Sequence, residues 1–347
     1  MPKKEWILLL LILVLAMTGC SSGSGTAETE GDSIEQEVNN EGSSEITMEI
    51  GHTLSAESPR HEILEMFKEE VEEKTDNEIA VNIYPSNQLG DNNQLMQAVP
   101  LGNVEAAVQP TAFFGGVQEK LNIVDLPFVW KDMNHIGEVL GGDTGEKILS
   151  TLGEEGMEGL AFWPIGMKAI TSNESLDTFQ ELKGQDFRTM GAPVLNDTFS
   201  KWGTSPTSIA IPELYSSLQQ GVVDGQENDI GTIHDLKLQE VQENMIISNH
   251  GAVIDIFYVN KGWFDSLPDD YQDILKNTAN SLMVERIEKE LAVVEEKLEN
   301  IKAGSEINII EDSGSFINEM KEGAKLVEQS FIEKFPDMQE ALEEIKK

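Results

Sequence analysis

Cations are the scarce chemistry in this sequence. Against 63 Asp and Glu stand 24 Lys and Arg, and only three of these are arginine: Arg60, Arg188 and Arg286. Arg60 and Arg286 fall in polar helical stretches, where solvated surface charges are expected. Arg188 differs. It sits in Asp186-Phe187-Arg188-Thr189, an expected strand that leads through Gly191-Ala192-Pro193 into a helix. A guanidinium at a strand end presents a rigid donor fork that matches a carboxylate bidentately. Open α/β sheets hold ligands at the carboxyl ends of their strands. On spacing alone, an internal ion pair with an Asp or Glu stays open as the alternative.

Other chemistries find little support. The five histidines, at 52, 61, 135, 234 and 250, never fall at metal-ligand spacing. Gly141 to Lys147 has a phosphate-loop flavour but lacks the Gly-Lys-Ser/Thr ending, and reads as a helix boundary. Asp224 to Asp235 has Asp229 where a calcium loop needs Gly and Asp235 where it needs Glu. No Gly-x-Ser-x-Gly elbow is present in the body of the chain. No catalytic, metal or cofactor site is expected.

The elements that would position Arg188 alternate. Strands are expected at Ile46–Ile50, Ile79–Tyr84, Val104–Val108, Gly159–Trp163, Asp186–Thr189 and Val223–Gln226. Helices are expected at Pro59–Thr75, with an apolar stripe of Ile63, Leu64, Phe67 and Val71, and at Asn92–Leu101. Alternation of this kind predicts an α/β fold with a mainly parallel sheet. Tyr271–Lys302 contains no Gly or Pro and predicts one helix of about 48 Å. That exceeds a small domain, so the helix should run along two lobes.

The N-terminus bears on compartment. Lys3 and Lys4 precede an apolar run from Trp6 to Met17, too short to span a bilayer but suited to a signal peptide. The run ends in Met17-Thr18-Gly19-Cys20, which resembles a bacterial lipoprotein signal with Cys20 as the lipidated residue. Cys20 is the only cysteine, which excludes an intramolecular disulfide. Ser21–Glu45 carries seven acidic residues and no Lys or Arg, a composition suited to a solvated tether. The net charge of −39 argues against a nucleic-acid partner and against attachment to anionic lipid through a basic surface. Acidity on this scale suits a salty or alkaline exterior.

Four ordered motifs carry a resemblance. Leu182-Lys183-Gly184-Gln185-Asp186-Phe187-Arg188 resembles a signature of the substrate-binding proteins of tripartite ATP-independent periplasmic (TRAP) transporters, of the C4-dicarboxylate-receptor-like kind. Glu213-Leu214-Tyr215-Ser216-Ser217-Leu218 through Val223-Asp224-Gly225-Gln226-Glu227-Asn228 is similar to that family's most distinctive stretch. Tyr84-Pro85-Ser86-Asn87-Gln88-Leu89-Gly90 and Asp125-Leu126-Pro127-Phe128 are also family-like, and Ser266-Leu267-Pro268 fits before the long helix.

The resemblance implies a two-lobed periplasmic-binding-protein-like α/β fold, with a ligand cleft between the lobes and one helix spanning both. With the N-terminal reading this gives a signal peptide at 1–19 and a lipidated cysteine with its tether at 20–45. The first lobe would comprise 46–165 plus about 254–293, and the second 166–253 plus about 294–347. The family's carboxylate-clamping arginine falls on Arg188. A second family arginine falls on Lys168, which keeps the charge but loses the fork. Asn228 matches a ligand-contacting asparagine, followed here by Asp229 where the family usually has proline. His52, Asn92, Gln109 and Trp163 are further candidate cleft residues, with helix capping the alternative for Asn92 and core packing for Trp163. The function implied is extracytoplasmic capture of a small organic acid for an ion-coupled membrane permease. The protein would be a monomer, lipid-anchored to the outer face of the cell membrane or periplasmic, with no nucleotide, cofactor or enzymatic turnover. A receptor feeding a sensor kinase or another transporter, and a surface enzyme acting on an organic acid, are the alternatives.

Overall fold

Ten strands form one sheet in the computed structural model, which describes residues 46–310 and 314–347. The signal peptide, Cys20 and the tether therefore lie outside the described residues. The strands are β1 (Ile46–Gly51), β2 (Ile79–Tyr84), β3 (Ala106–Pro110), β4 (Met157–Ser172), β5 (Asp186–Thr189), β6 (Ser205–Ser208), β7 (Gly225–Asp229), β8 (Asn244–Ile246), β9 (Ala252–Asn260) and β10 (Asn308–Ile310). Their order is β2-β1-β3-β9-β4-β7-β5-β6, with β8 beside β4 and β10 beside β8.

The expected parallel sheet is realised only at the two ends. β1 pairs in parallel with β2 and β3, β5 with β6 and β7, and β10 with β8. The middle is antiparallel, where β9 joins β3 to β4 and β4 goes on to β7 and β8. The difference arises in β4. Its 16 residues are visible in sequence only as far as Trp163, because Pro164 and Gly166 break the pattern. At those two residues the pairing with β9 slips register, which accommodates a residue without a backbone donor. β9 is buried along its whole length, an apolar run that shows no alternation to read.

β4 divides along its length. Residues 157–167 pair with β9, and 168–172 pair with β7. The first half belongs to a core that includes Met48, Ile50, Phe67, Trp163 and Phe257. In the second half, successive side chains point to opposite faces of the sheet. Ala169 enters a core with Leu214, Leu218 and Met245, and Ile170 one with Phe187, Phe199 and Trp202.

Two lobes share this sheet and the helix Asp269–Gly304. Its 36 residues give a length of about 54 Å. Leu275, Ala279, Leu282, Met283 and Ile287 pack into the first core, and Ile301 with Val294 and Leu298 into the second. Asp269 and Asp270 in its first turn and Lys302 in its last suit the helix dipole. At the chain's end, Met338, Ala341, Leu342 and Ile345 join the first core. The segment 294–347 thus contributes side chains to all three cores, Val327 and Ile345 to the first, Ile301 and Ile307 to the second, and Phe316 and Met320 to the third. The Gly141–Lys147 segment is a helix boundary as read, with Gly142 capping Asp143–Leu149.

Candidate ligand-binding cleft

The cleft lies where strands end and helices begin. A cavity of about 840 Å³ is lined by residues just beyond β1 (Thr53, Leu54), β2 (Asn87), β6 (Ile211) and β7 (Gly231, Thr232), together with Arg286 of the long helix. Asn87 N–H donates to the His52 carbonyl across this wall, at 3.2 Å.

Arg188 is fully buried on β5. Its Nε donates to the Ile209 carbonyl at 2.9 Å, two residues before Ile211 of the cleft wall. Neither Nη atom has a hydrogen-bond partner among the described residues. Burial lowers its pKa to about 10, with Glu227 the opposing influence, so the side chain remains a cation at neutral pH. Buried donors are nearly always satisfied in folded proteins. Two open donors on one guanidinium therefore mark a place for an acceptor.

Lys168 is differently occupied. Its Nζ lies 2.9 Å from Glu227 Oε1, and Glu227 Oε2 accepts from His250 Nε2 at 2.7 Å. Ser248 Oγ is 2.6 Å from His250 Nδ1, so the ring accepts from serine on one side and donates to glutamate on the other. Burial alone would raise the Glu227 pKa. The Lys168 charge and the His250 and Lys168 hydrogen bonds outweigh it and hold the group at about 2. Burial keeps His250 below the usual histidine range. All three groups are buried, and Lys168 serves as the partner of a carboxylate from its own chain.

Asn228 is buried on β7, where its Nδ2 donates to Gln226 Oε1 at 3.0 Å. Gln226 in turn donates to Thr171 Oγ1 at 3.0 Å and stands in register beside Arg188. Asp229, the departure from the family's proline, has a local task. Its Oδ1 accepts from Thr232 N–H at 2.8 Å and its Oδ2 from Thr232 Oγ1 at 2.6 Å, capping the helix Ile230–Asp235.

The remaining candidates separate. His52 Nε2 meets His61 Nδ1 at 3.0 Å, its Nδ1 has no partner, and burial lowers its pKa to about 3, so the ring is neutral. Gln109 is fully buried with neither amide atom partnered. Asn92 keeps an unpartnered Oδ1, and the helix cap is made by Asp91 with Gln94 instead. None of the seven candidates lines the cavity described above, and Trp163 is part of the first core. It packs on Phe257, with ring centroids 5.0 Å apart, and donates Nε1–H to the Ala279 carbonyl of the long helix at 2.8 Å.

The other two arginines depart from the sequence expectation, since each is only 2% exposed. Arg60 holds Asp255 of β9 through Nε and Nη2 at 2.6 and 2.8 Å. Arg286 pairs with Glu290 at 2.8 Å, and its Nε and Nη1 are unpartnered. The signal was periodicity. Arg60 precedes Ile63, Leu64, Phe67 and Val71 on one apolar stripe, and Arg286 follows Ala279, Leu282 and Met283 on another. Asn87 was also legible, within a quoted motif. It adopts φ 62° after Ser86 at φ 54°, and its buried Oδ1 is unpartnered. No His, Cys, Asp or Glu cluster suited to a metal occurs among the described residues. No described helix is long and apolar enough to cross a membrane.

A family model described as DctP, bacterial extracellular solute-binding protein, family 7, matches residues 50–334. The C4-dicarboxylate-binding periplasmic protein DctP of Rhodobacter capsulatus is 32% identical over 260 residues, spanning 72% of this chain and 78% of its own. A TRAP periplasmic solute-binding protein from Desulfovibrio salexigens, solved with bound orotic acid, gives a TM-score of 0.82 at 31% identity. The match covers 86% of this chain and 97% of that one. A TRAP solute-binding protein from Haemophilus influenzae RdAW with bound L-gulonate gives 0.81 at 26% identity, covering 86% and 98%.

Proposed function

The chain belongs to family 7 of the bacterial extracellular solute-binding proteins, a family of transport receptors and not of enzymes, and from that premise we propose that it captures a small organic acid between its lobes. The acid is then delivered to a TRAP-type membrane permease. Arg188 carries the reading: a fully buried guanidinium with two open donors on Nη1 and Nη2. A carboxylate meeting both would form the bidentate, charge-assisted pair that water-free surroundings strengthen. Asn228 supplies a second polar contact from the same lobe. His52, Asn92 and Gln109 face the ligand from the first lobe, and Lys168 acts behind the site by holding Glu227 in place.

The first lobe comprises 46–165 plus about 254–293, joined by the last helix, Gln339–Ile345, and the second comprises the remainder of the described residues. Contacts to the acid from both lobes favour the closed arrangement over the open one, so binding drives closure. Cys20, lipidated and exposed as the mature N-terminus, tethers a monomer outside the cell membrane. A thermal-shift screen of organic acids against the purified protein tests the proposal, because a ligand of the native state raises apparent stability by mass action. At least one carboxylate should raise the midpoint by several degrees, in proportion to the logarithm of its concentration. If none does, the receptor reading fails.

A further inference from the structure

Three carboxylates influence the charge of Arg286: Glu290, Asp255 and Asp229. Two of them are taken. Both oxygens of Asp255 accept from Arg60, at 2.6 and 2.8 Å, and both oxygens of Asp229 accept from Thr232, at 2.8 and 2.6 Å. Glu290 reaches Arg286 through one contact, Oε1 to Nη2 at 2.8 Å. Nε and Nη1 are left without a partner among the described residues, on a buried side chain. Burial without an acceptor is costly for a guanidinium. Arg286 lines the cavity of about 840 Å³, so the missing acceptor has room to enter from there.

Asn87 lines the same cavity. Its Oδ1 is buried and unpartnered too, an open acceptor in the space where Arg286 has open donors. Two successive left-handed residues hold it, Ser86 at φ 54° and Asn87 at φ 62°. Their amides are tied to the end of β1. Ser86 N–H donates to the Leu54 carbonyl at 2.8 Å, and Asn87 N–H to that of His52 at 3.2 Å. Such backbone is unfavourable for residues with a Cβ and is concentrated at ligand clamps. Arg286 comes from the helix shared by both lobes and Asn87 from the first lobe, while Ile211 and Thr232 of the second complete the lining.

We propose that this cavity is itself an acid-binding site, in which Arg286 holds the anionic group of the ligand at its open donors and Asn87 Oδ1 accepts from a hydroxyl or ammonium on the same molecule. This rests on the receptor reading above and adds to it two ligand contacts and a class of ligand, an acid that also carries a hydrogen-bond donor. The two open groups are complementary, since a guanidinium only donates and an amide oxygen only accepts. An acid without the donor leaves the buried Asn87 oxygen unpaired and is disfavoured for that reason.

Calorimetry compares acids that differ in one donor: lactate and alanine with propanoate, and malate and aspartate with succinate. The tightest binder should carry a donor, and the hydroxy acids against the amino acids tell a hydroxyl from an ammonium. Arg286→Gln should weaken that binder by about ten- to a hundredfold. Asn87→Gly suits the left-handed backbone and removes the acceptor. It should weaken the same acid by about three- to tenfold and shrink its advantage over the plain partner by the same factor. A role for Asn87 in the loop alone would leave that advantage unmoved. A plain acid that binds as tightly as its donor-bearing partner overturns the inference and leaves the receptor reading standing. So does a folded Arg286→Gln protein that binds within about twofold of the parent, or an unmoved advantage in Asn87→Gly, which decides the matter if Arg286→Gln does not fold. If the panel fails while another acid of the thermal-shift screen binds, this inference falls alone, and if no acid binds in either, the receptor reading falls with it.

Discussion

Arg188→Met separates function from stability, because the two should move in opposite directions. In the ligand-free protein burial lowers the Arg188 pKa to about 10. The desolvated cation therefore opposes folding by about 3 kcal/mol at any pH below its folded-state pKa. Methionine fills similar space without charge. The substitution removes that opposition and forfeits one bond, leaving the Ile209 carbonyl unpaired at a cost of about 1–3 kcal/mol. Ligand-free stability should consequently be unchanged or higher by up to about 2 kcal/mol. Removing one side of an internally paired buried arginine would instead lose about 3–5 kcal/mol. Urea titration followed by tryptophan fluorescence reads the stability, since Trp163 and Trp202 are buried. Calorimetry with the best acid of the screen should show affinity reduced by at least about a hundredfold. Destabilisation beyond about 3 kcal/mol would mean that Arg188 is a structural pair, and an unchanged Kd would mean that it does not hold the acid.

Two further outcomes follow from the buried groups. Burial raises Asp125 from 3.8 to about 7 against the opposing charge of Lys168. A carboxyl raised in the folded state contributes stability that is present in acid and is lost as pH climbs from about 4 through 7. Glu227, held at about 2, has the opposite sign: its contribution is present above about 4.5 and is lost as pH falls toward 2. Glu290, raised by burial to about 7, shares the sign of Asp125, so urea midpoints measured across pH should fall away on both sides of a maximum near pH 4.5, and Asp125→Asn should reduce the upper limb by about half while leaving the limb below pH 3.5 unchanged. Trp163→Phe should cost about 1–3 kcal/mol through the lost bond to Ala279 and leave ligand affinity within twofold of the parent. A larger loss of affinity would return Trp163 to the cleft.

The outer parts of the fold were easier to read than the middle. β2 and β5 begin and end where their sequences suggest, because each is short and bounded by a turn. The long helix was legible from an uninterrupted polar-apolar pattern, although its ends extend to Asp269 and Gly304. β4 and β9 were hard to read for two physical reasons. A strand buried on both faces has no alternation, and a strand with Pro164 and Gly166 in it resembles a terminus. At the site, Arg188 stood out because its strand and turn context was unusual among three arginines. The commitment of Lys168 to Glu227 was not legible, since it depends on register between β4 and β7 more than fifty residues apart. Arg60 and Arg286 were misplaced for a related reason. Their neighbours in sequence are polar, while their partners on a helix face and across the sheet are not adjacent in the chain.

The pairing of β4 with β9 also bears on how the chain comes to fold. Met167 stands beside Ala252, and Lys168 N–H donates to the Gly251 carbonyl at 2.9 Å, so the stretch between them is a closed loop whose ends touch. Closing a loop of about eighty residues costs on the order of 4 kcal/mol in chain entropy, and such distant pairings form slowly unless something shortens the path. Contacts within the loop, such as β5 with β6 and β7, can form first and bring its ends together. The two central strands then seal a junction that neither lobe could make alone. Because the chain afterwards returns through the long helix to both cores, no single cut yields two complete halves, and the two lobes stand or fall as one cooperative unit.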